Sequence, residues 1–323
     1  MCIRDSLGAV DPDRLDMPPD EPILILLSDF ENEDENMAFA QRILVDVVVP
    51  AFRATHDTKH QAALAYAIQE LLKYCKFTPA LLEASAPTRV PEKVRQRWST
   101  LPEMLLPTLL PLLNSRYVVQ QTEPRPREMP LYAHSTSYRD WVQAWTLWLI
   151  RSSRPGDAAS LFHIFTSVVR DHDVGIAQYL LPHLVLHILI SGSSQQRRTV
   201  LGESLAVLAD QAHPALGYEP ERRRLTAQTL FHVLDHVGHW MRRMRLVPLR
   251  MARRSRWRDA LSDVQAIMDE LSPDLLAQAS LQCDAYARAL LHFEYRIRAM
   301  RPQPPETLQP YYETCLLYTS DAA

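Results

Sequence analysis

Two histidine pairs at helical spacing, His183/His187 and His232/His236 with His239 a further turn on, are the first residues in this 323-residue chain that could do chemistry. Two imidazoles at i and i+4 share one helix face and can hold a metal. A catalytic zinc helix also needs a Glu directly after the first His as general base. Here Leu-Val-Leu and Val-Leu-Asp intervene, so the pairs read as half-buried helix residues hydrogen-bonded across a hairpin, and no metal ligand is assigned. Asp171, His172 and Asp173 could place a general acid or base, but no nucleophile or oxyanion turn accompanies them. They read instead as the end of one helix and the N-cap of the next.

The densest charge runs from Met241 to Arg258: Arg242, Arg243, Arg245, Arg250, Arg253, Arg254, Arg256 and Arg258, with no acidic residue. Such a run could meet phosphate backbones, an acidic partner or an import receptor. Like-charge blocks are also commonly solvated loops. Pro248 interrupts this one and only Trp257 supplies an aromatic, so it reads as an inter-helix loop that offers a basic contact surface, with direct nucleic-acid contact disfavoured. Trp141, Trp145 and Trp148 form a stripe at spacings of four and three, the pattern of helix-face core packing. Gly-rich phosphate loops, GxSxG, kinase catalytic strings and CxxC pairs are missing from these residues. No catalytic, cofactor-binding or metal residue is therefore assigned.

The elements that position these residues are helical. Seven Gly in the whole chain is about 2%, against an average near 7%, which disfavours both Gly-dependent nucleotide folds and hairpin-rich β folds. A formal charge of −3 and 47% apolar content are those of a globular chain without a strong electrostatic bias. The apolar stretch Ile176–Ile190 contains Pro182 and two His and falls short of the roughly 20 residues that span a bilayer. Four Cys without paired spacing fit reduced thiols.

Apolar residues recur at three and four along Glu35–Arg53 and Lys59–Tyr74, which predicts an antiparallel hairpin. Pro91–Asn114 predicts two short helices and Arg116–Pro130 a loop. Helices then follow over Tyr138–Arg151, Pro155–Asp171, Val174–Ser191, Gln195–Gln211, Glu221–Arg245, Trp257–Leu271 and Pro273–Met300. Ser193 or Ser194, and Ser272 before Pro273, are N-cap candidates. Helix pairs of about 40 residues are the unit of α-solenoids, so the expected fold is an all-α helical-repeat solenoid of HEAT or TPR type, stacked on near neighbours.

Five strings sharpen this reading: LGAVDPDRLD (7–16), AYAIQELL (65–72), DVGIAQYLLPHLVLHILISG (173–192), TAQTLFHVLDHVGHW (226–240) and LLAQASLQCDAYARALLHFE (275–294). In this order they resemble the middle of the ATR-type serine/threonine checkpoint kinases of the phosphatidylinositol-3-kinase-related family. The likeness covers most of the chain and is thin over 76–134. It implies a HEAT-repeat region over 7–271 and the start of a FAT domain over 272–314. It further implies a nuclear DNA-damage checkpoint kinase, an ATRIP-like partner subunit, and ATP with Mg or Mn bound in a kinase domain elsewhere in the parent chain. Residues 1–6 and 315–323 resemble translated sequencing adaptor. The competing reading is a free-standing HEAT-type adaptor or transport solenoid without kinase activity.

Overall fold

A computed structural model describes residues 27–83, 89–115, 117–118, 127–171, 173–213, 219–246, 254–299 and 308–321. Every regular element among them is helical. The first is α1 (Glu33–Ile43), capped by the Asn32 side chain on the Asp34 N–H, which runs through a π turn (Leu44–Val48) into α2 (Val49–Ala54). The widened turn lies just before Pro50, whose ring would clash with the carbonyl one turn back and which has no N–H to give it. Helix α3 (Thr58–Tyr74) completes the expected hairpin.

The Pro-rich stretch gives α4 (Glu92–Ser99) and α5 (Leu106–Leu113), the latter entered through a 3-10 turn at Glu103–Leu105. The expected loop at 116–130 lies mostly outside the described residues. A short α6 (Leu131–His134) precedes α7 (Tyr138–Ser152).

Two expected helices are each divided. The segment 155–171 forms α8 (Asp157–His163) and α9 (Thr166–Asp171). Ile164 and Phe165 instead make tight i−3 bonds to Leu161 and Phe162, and the Thr166 hydroxyl donates to the His163 carbonyl. The segment 273–300 forms α14 (Pro273–Leu281) and α15 (Tyr286–Ala299). Here Asp284 turns left-handed at φ 59°, and Ala285 N–H reaches back to the Ser280 carbonyl while Asp284 N–H reaches Leu281. That is a Schellman ending with Asp where glycine is usual. Lys76, at φ 62°, closes α3 the same way, with Phe77 N–H on the Leu72 carbonyl. In so glycine-poor a chain, left-handed endings fall to polar residues and leave no Gly mark in the sequence.

Between these lie α10 (Val174–Ser191), α11 (Ser194–Ala212), α12 (Pro220–Leu246) and α13 (Arg254–Asp269), with α16 (Gln309–Asp321) after them. Ser193 caps α11 in a reciprocal capping box with Gln196, and Asp173 caps α10 on the Ile176 N–H. Ser272 occupies the N-cap of α14 ahead of Pro273, but its hydroxyl makes no capping bond. His172 lies outside the described residues.

Helix α10 is the axis of the molecule. By length and hydropathy it could cross a membrane, yet 67% of it is buried within this chain. It packs against α7, α9, α11, α12 and α13, and an apolar helix buried nearly all round is the signature of a core element. The stacking is not purely between sequence neighbours. The N-terminal hairpin folds onto α8 and α10 through Phe30 and Phe39, and Trp240 Nε1 donates to the Ser28 carbonyl at 3.2 Å across 212 positions. One buried core consequently runs from Leu27 to Cys283. A separate small cluster of Ala277, Ala289 and Phe293, lined by Leu281 and Tyr311, holds α14–α16 together.

Candidate functional site

The Trp stripe resolves into core. Trp141 and Trp145 have no exposed surface and stack at 5.3 Å, and Trp148 is half-buried against the same core. The Trp141 indole N–H donates to Glu203 Oε1 at 2.7 Å. Glu203, on α11, also accepts the Leu131 and Tyr132 backbone N–H groups at 2.6 and 2.7 Å. Those are two of the unpaired donors that open α6, so a fully buried carboxylate substitutes for a cap. Burial raises its pKa, against the three donors that favour its charged form.

Nearby, Tyr132 donates its hydroxyl to Asp210 at 2.5 Å, and buried Arg222 donates to the Tyr132 carbonyl while lying over its ring. This polar seam ties α6 to α11 and α12, and the sequence reading did not single it out. Its signal was present: Glu203 lies between Val200 and Val207 at i+3 and i−4, and Arg222 lies four before Thr226, so charged residues occupy apolar faces.

The histidines form a second seam. His183 and His187 are buried on α10. The His183 ring meets His236 of α12 edge-on at 4.5 Å and Phe39 of α1 at 4.6 Å, and His187 meets Phe30 at 4.7 Å. His232 and His239 are exposed. The expected hydrogen bonds across the hairpin are not made by His183 Nδ1, His187 Nδ1 or His236 Nε2, which are buried without partners because aromatic rings, not acceptors, surround them. Burial, with His236 and His232 beside it, holds His183 far below the usual imidazole range. Burial likewise lowers His187 and His236 to about 4. These are neutral packing groups. Among the described residues no three His, Cys, Asp or Glu side chains are grouped to hold a metal. Cys75 and Cys283 are buried free thiols, pushed up to about 12 and about 11 by that burial, which makes them poor nucleophiles.

The basic run starts where α12 is pinned, between Trp240 on Ser28 and the Trp240–Trp257 ring contact at 6.3 Å. Arg242, Arg245 and Arg258 are exposed and Arg243 is half-buried. Arg245 donates to Gln265 of α13. Arg250 and Arg253 lie outside the described residues, and Arg254 and Arg256 stand in the first turns of α13. The inward faces of α12 and α13 are thus fixed while part of the basic face is left to solvent.

Residues 125–317 match the protein family described as serine/threonine-protein kinase ATR, M-HEAT region. Among curated proteins, the chain is 28% identical over 308 residues to protein kinase rad3 of Schizosaccharomyces pombe, covering 91% of this chain and 13% of that protein. It is 28% identical over 321 residues to serine/threonine-protein kinase ATR of Oryza sativa subsp. indica, covering 91% and 11%. It is 23% identical over 308 residues to serine/threonine-protein kinase MEC1 of Eremothecium gossypii, covering 91% and 13%. The chain therefore spans only 11 to 13% of the length of these relatives.

Proposed function

The chain belongs to the ATR family of serine/threonine-protein kinases through its M-HEAT region, and on that premise we propose that it is a non-catalytic scaffold segment that positions the kinase domain of a longer protein. The observation that carries this reading is the single buried core from Leu27 to Cys283, centred on α10. Close-packed interiors transmit displacement rather than absorb it, so a solenoid of this kind fixes the spacing and angle of whatever is joined to it. ATP and its Mg or Mn would then be held by a kinase domain elsewhere in the longer protein. The wider assignment includes assembly with an ATRIP-like subunit in the nucleus. Family membership favours it over a free-standing adaptor.

Under this reading residues 272–314 open the FAT domain. The separate cluster at Ala277, Ala289 and Phe293 supports a grouping of α14–α16, while Leu276, Ala279 and Cys283 keep α14 in the main core and the M-HEAT match itself continues to 317. The test is made in the full-length kinase. Trp145→Ala should lower both kinase activity on a peptide substrate and recovery of the partner subunit, while Arg258→Ala on the surface leaves the first unchanged. Full activity and full partner recovery from a Trp145→Ala protein whose segment is unfolded by proteolysis would overturn it.

A further inference from the structure

Helices α14–α16 meet the rest of the molecule along two lines of different chemistry. The first is apolar and small: α14 packs on α11 and puts Leu276 and Ala279, with Cys283 in the turn after it, into the main core. Gln211 of α11 adds one hydrogen bond there, from Nε2 to the Gln282 carbonyl at 2.9 Å. The second line is charged and centres on one side chain of α15. Arg288 forks onto Asp235 of α12, Nη1 to Oδ1 at 2.7 Å and Nη2 to Oδ2 at 2.5 Å, and its guanidinium lies 4.9 Å over the Phe231 ring of the same helix. Arg224 of α12 adds a looser pair with Asp284 at 3.8 Å.

The two lines fix different things. Apolar contact is non-directional, and a face this small leaves α14 free to shift along α11 at little cost. A bidentate guanidinium–carboxylate pair is directional: its two N–H···O bonds and the ring contact hold together only at one angle and distance between α12 and α15. Within the group the helices are joined more firmly. Helices α14 and α15 pack closely around Ala277, Ala289 and Phe293, and Arg296 of α15 pairs with Asp274 of α14, so they move together. The side chains of Arg288 and Asp235 are 28% and 47% exposed, so this pair can trade its bonds for water without unfolding either helix.

We infer that α14–α16 form a lobe seated on α11 and α12, and that the fork of Arg288 on Asp235 and Phe231 is the pin that holds its angle. When the pin opens, α14 slides on α11 and the lobe tilts as one piece, uncovering Cys283 while the block around α10 stays closed. The chain is a jointed body with an ionic catch. This inference stands on the packing alone and does not depend on the scaffold reading.

Two buried free thiols make the joint measurable, Cys283 at its edge and Cys75 in the block. The experiment is labelling of the folded chain with iodoacetamide, each cysteine being followed by peptide mass spectrometry. Arg288→Gln should speed modification of Cys283 about fivefold, the scale of a partly exposed pair together with a cation–π contact, and leave Cys75 at the wild-type rate. Asp235→Asn should act alike, and the double variant no more than Arg288→Gln alone. Electrostatics cannot mimic the gain. Burial pushes the Cys283 thiol up to about 11 and Arg288 works to lower it, so loss of that charge alone leaves less reactive thiolate. Arg298→Gln, which breaks an exposed pair with Glu294 inside α15, is the control. An unchanged Cys283 rate, an equal rise at Cys75, an equal rise in Arg298→Gln, or additive effects in the double variant overturns the inference.

Discussion

The block around α10 and the C-terminal group α14–α16 are built from helices of the same kind, yet they are held very differently. In the block, α10 has neighbours on nearly every side, and Trp141, Trp145, Phe162 and Phe165 reach zero exposure. In the C-terminal group one face of α14 joins the main core through Leu276 and Ala279, but the cluster that holds α15 and α16 to it is three buried residues, and Leu291, Tyr295 and Tyr312 remain 48 to 58% exposed. Amphipathic period gives a helix one buried face. How much that face contributes depends on how many neighbours cover it, a property of the fold rather than of the helix.

The sharpest way to break the contrast is Glu203→Ala. It leaves the Trp141 indole N–H and two α6 backbone N–H groups buried without an acceptor, at about 1–3 kcal/mol each. A loss near 5 kcal/mol in chemical denaturation is expected, with the whole block unfolding together. A loss no larger than that of an exposed Glu→Ala control would mean that water replaces the carboxylate.

Next in size is a matched pair of aromatic deletions. Trp145→Ala should cost about 3–5 kcal/mol and raise amide exchange throughout α7, α10 and α12. Phe293→Ala should cost about 3 kcal/mol or less and raise exchange in α14–α16 alone. Uniform exchange in both variants would merge the two regions into one cooperative unit.

Acidity, by contrast, should act on both regions. The folded pKa values of His187 and His236 lie near 4, below the unfolded value of about 6.5. Between those limits the unfolded chain binds more protons, so stability falls as pH drops from 6.5 to 4. His187 alone accounts for up to about 3 kcal/mol of this. Glu203, raised by burial, works in the opposite sense, its contribution being lost as pH rises above the ordinary carboxylate value. His292 of α15, also lowered to about 4 by burial, extends the effect to the C-terminal group. His187→Gln should flatten the slope of the thermal midpoint over that window, and an unchanged slope would assign the acid sensitivity elsewhere.

The smallest effect expected is a gain. Lys76→Gly and Asp284→Gly remove a side chain from a left-handed position, and each should stabilise by about 0.5 kcal/mol after the added freedom of the unfolded chain is subtracted. Lys76 also forgoes an exposed ion pair with Glu33, worth little. A clear drop in midpoint would show that the Schellman endings carry no strain.

Much of the fold was legible because the information is local. Helix α10 has the bounds its apolar run and Asp173 cap specify, and the Ser193 cap of α11 could be read from Ser193 and Gln196. The breaks at 164–165 and 282–285 were not legible, since neither carries Gly or Pro. The role of Glu203 depends on donors at 131, 132 and 141, which only the packed structure brings within reach. His183 and His187 each leave a ring nitrogen unpartnered for the same reason: what surrounds an imidazole is decided by distant chain, here Phe39 and Phe30.

The bond from Trp240 to Ser28 also bears on the order of events during synthesis. A contact between positions 212 apart closes the longest loop among the contacts described above, and such closures form late. As the chain leaves the ribosome, α1 to α11 are available to pack before Trp240 has been made. The 27–30 segment can be tethered early by Glu35, which accepts from the Ser28 and Asp29 N–H groups, but its clasp on α12 must wait. Until then Phe30 can already pack on Phe162 and His187, but the Ser28 carbonyl has no indole to bond it, so the seam between the 27–30 segment and α12 is where a chaperone would hold the growing protein longest.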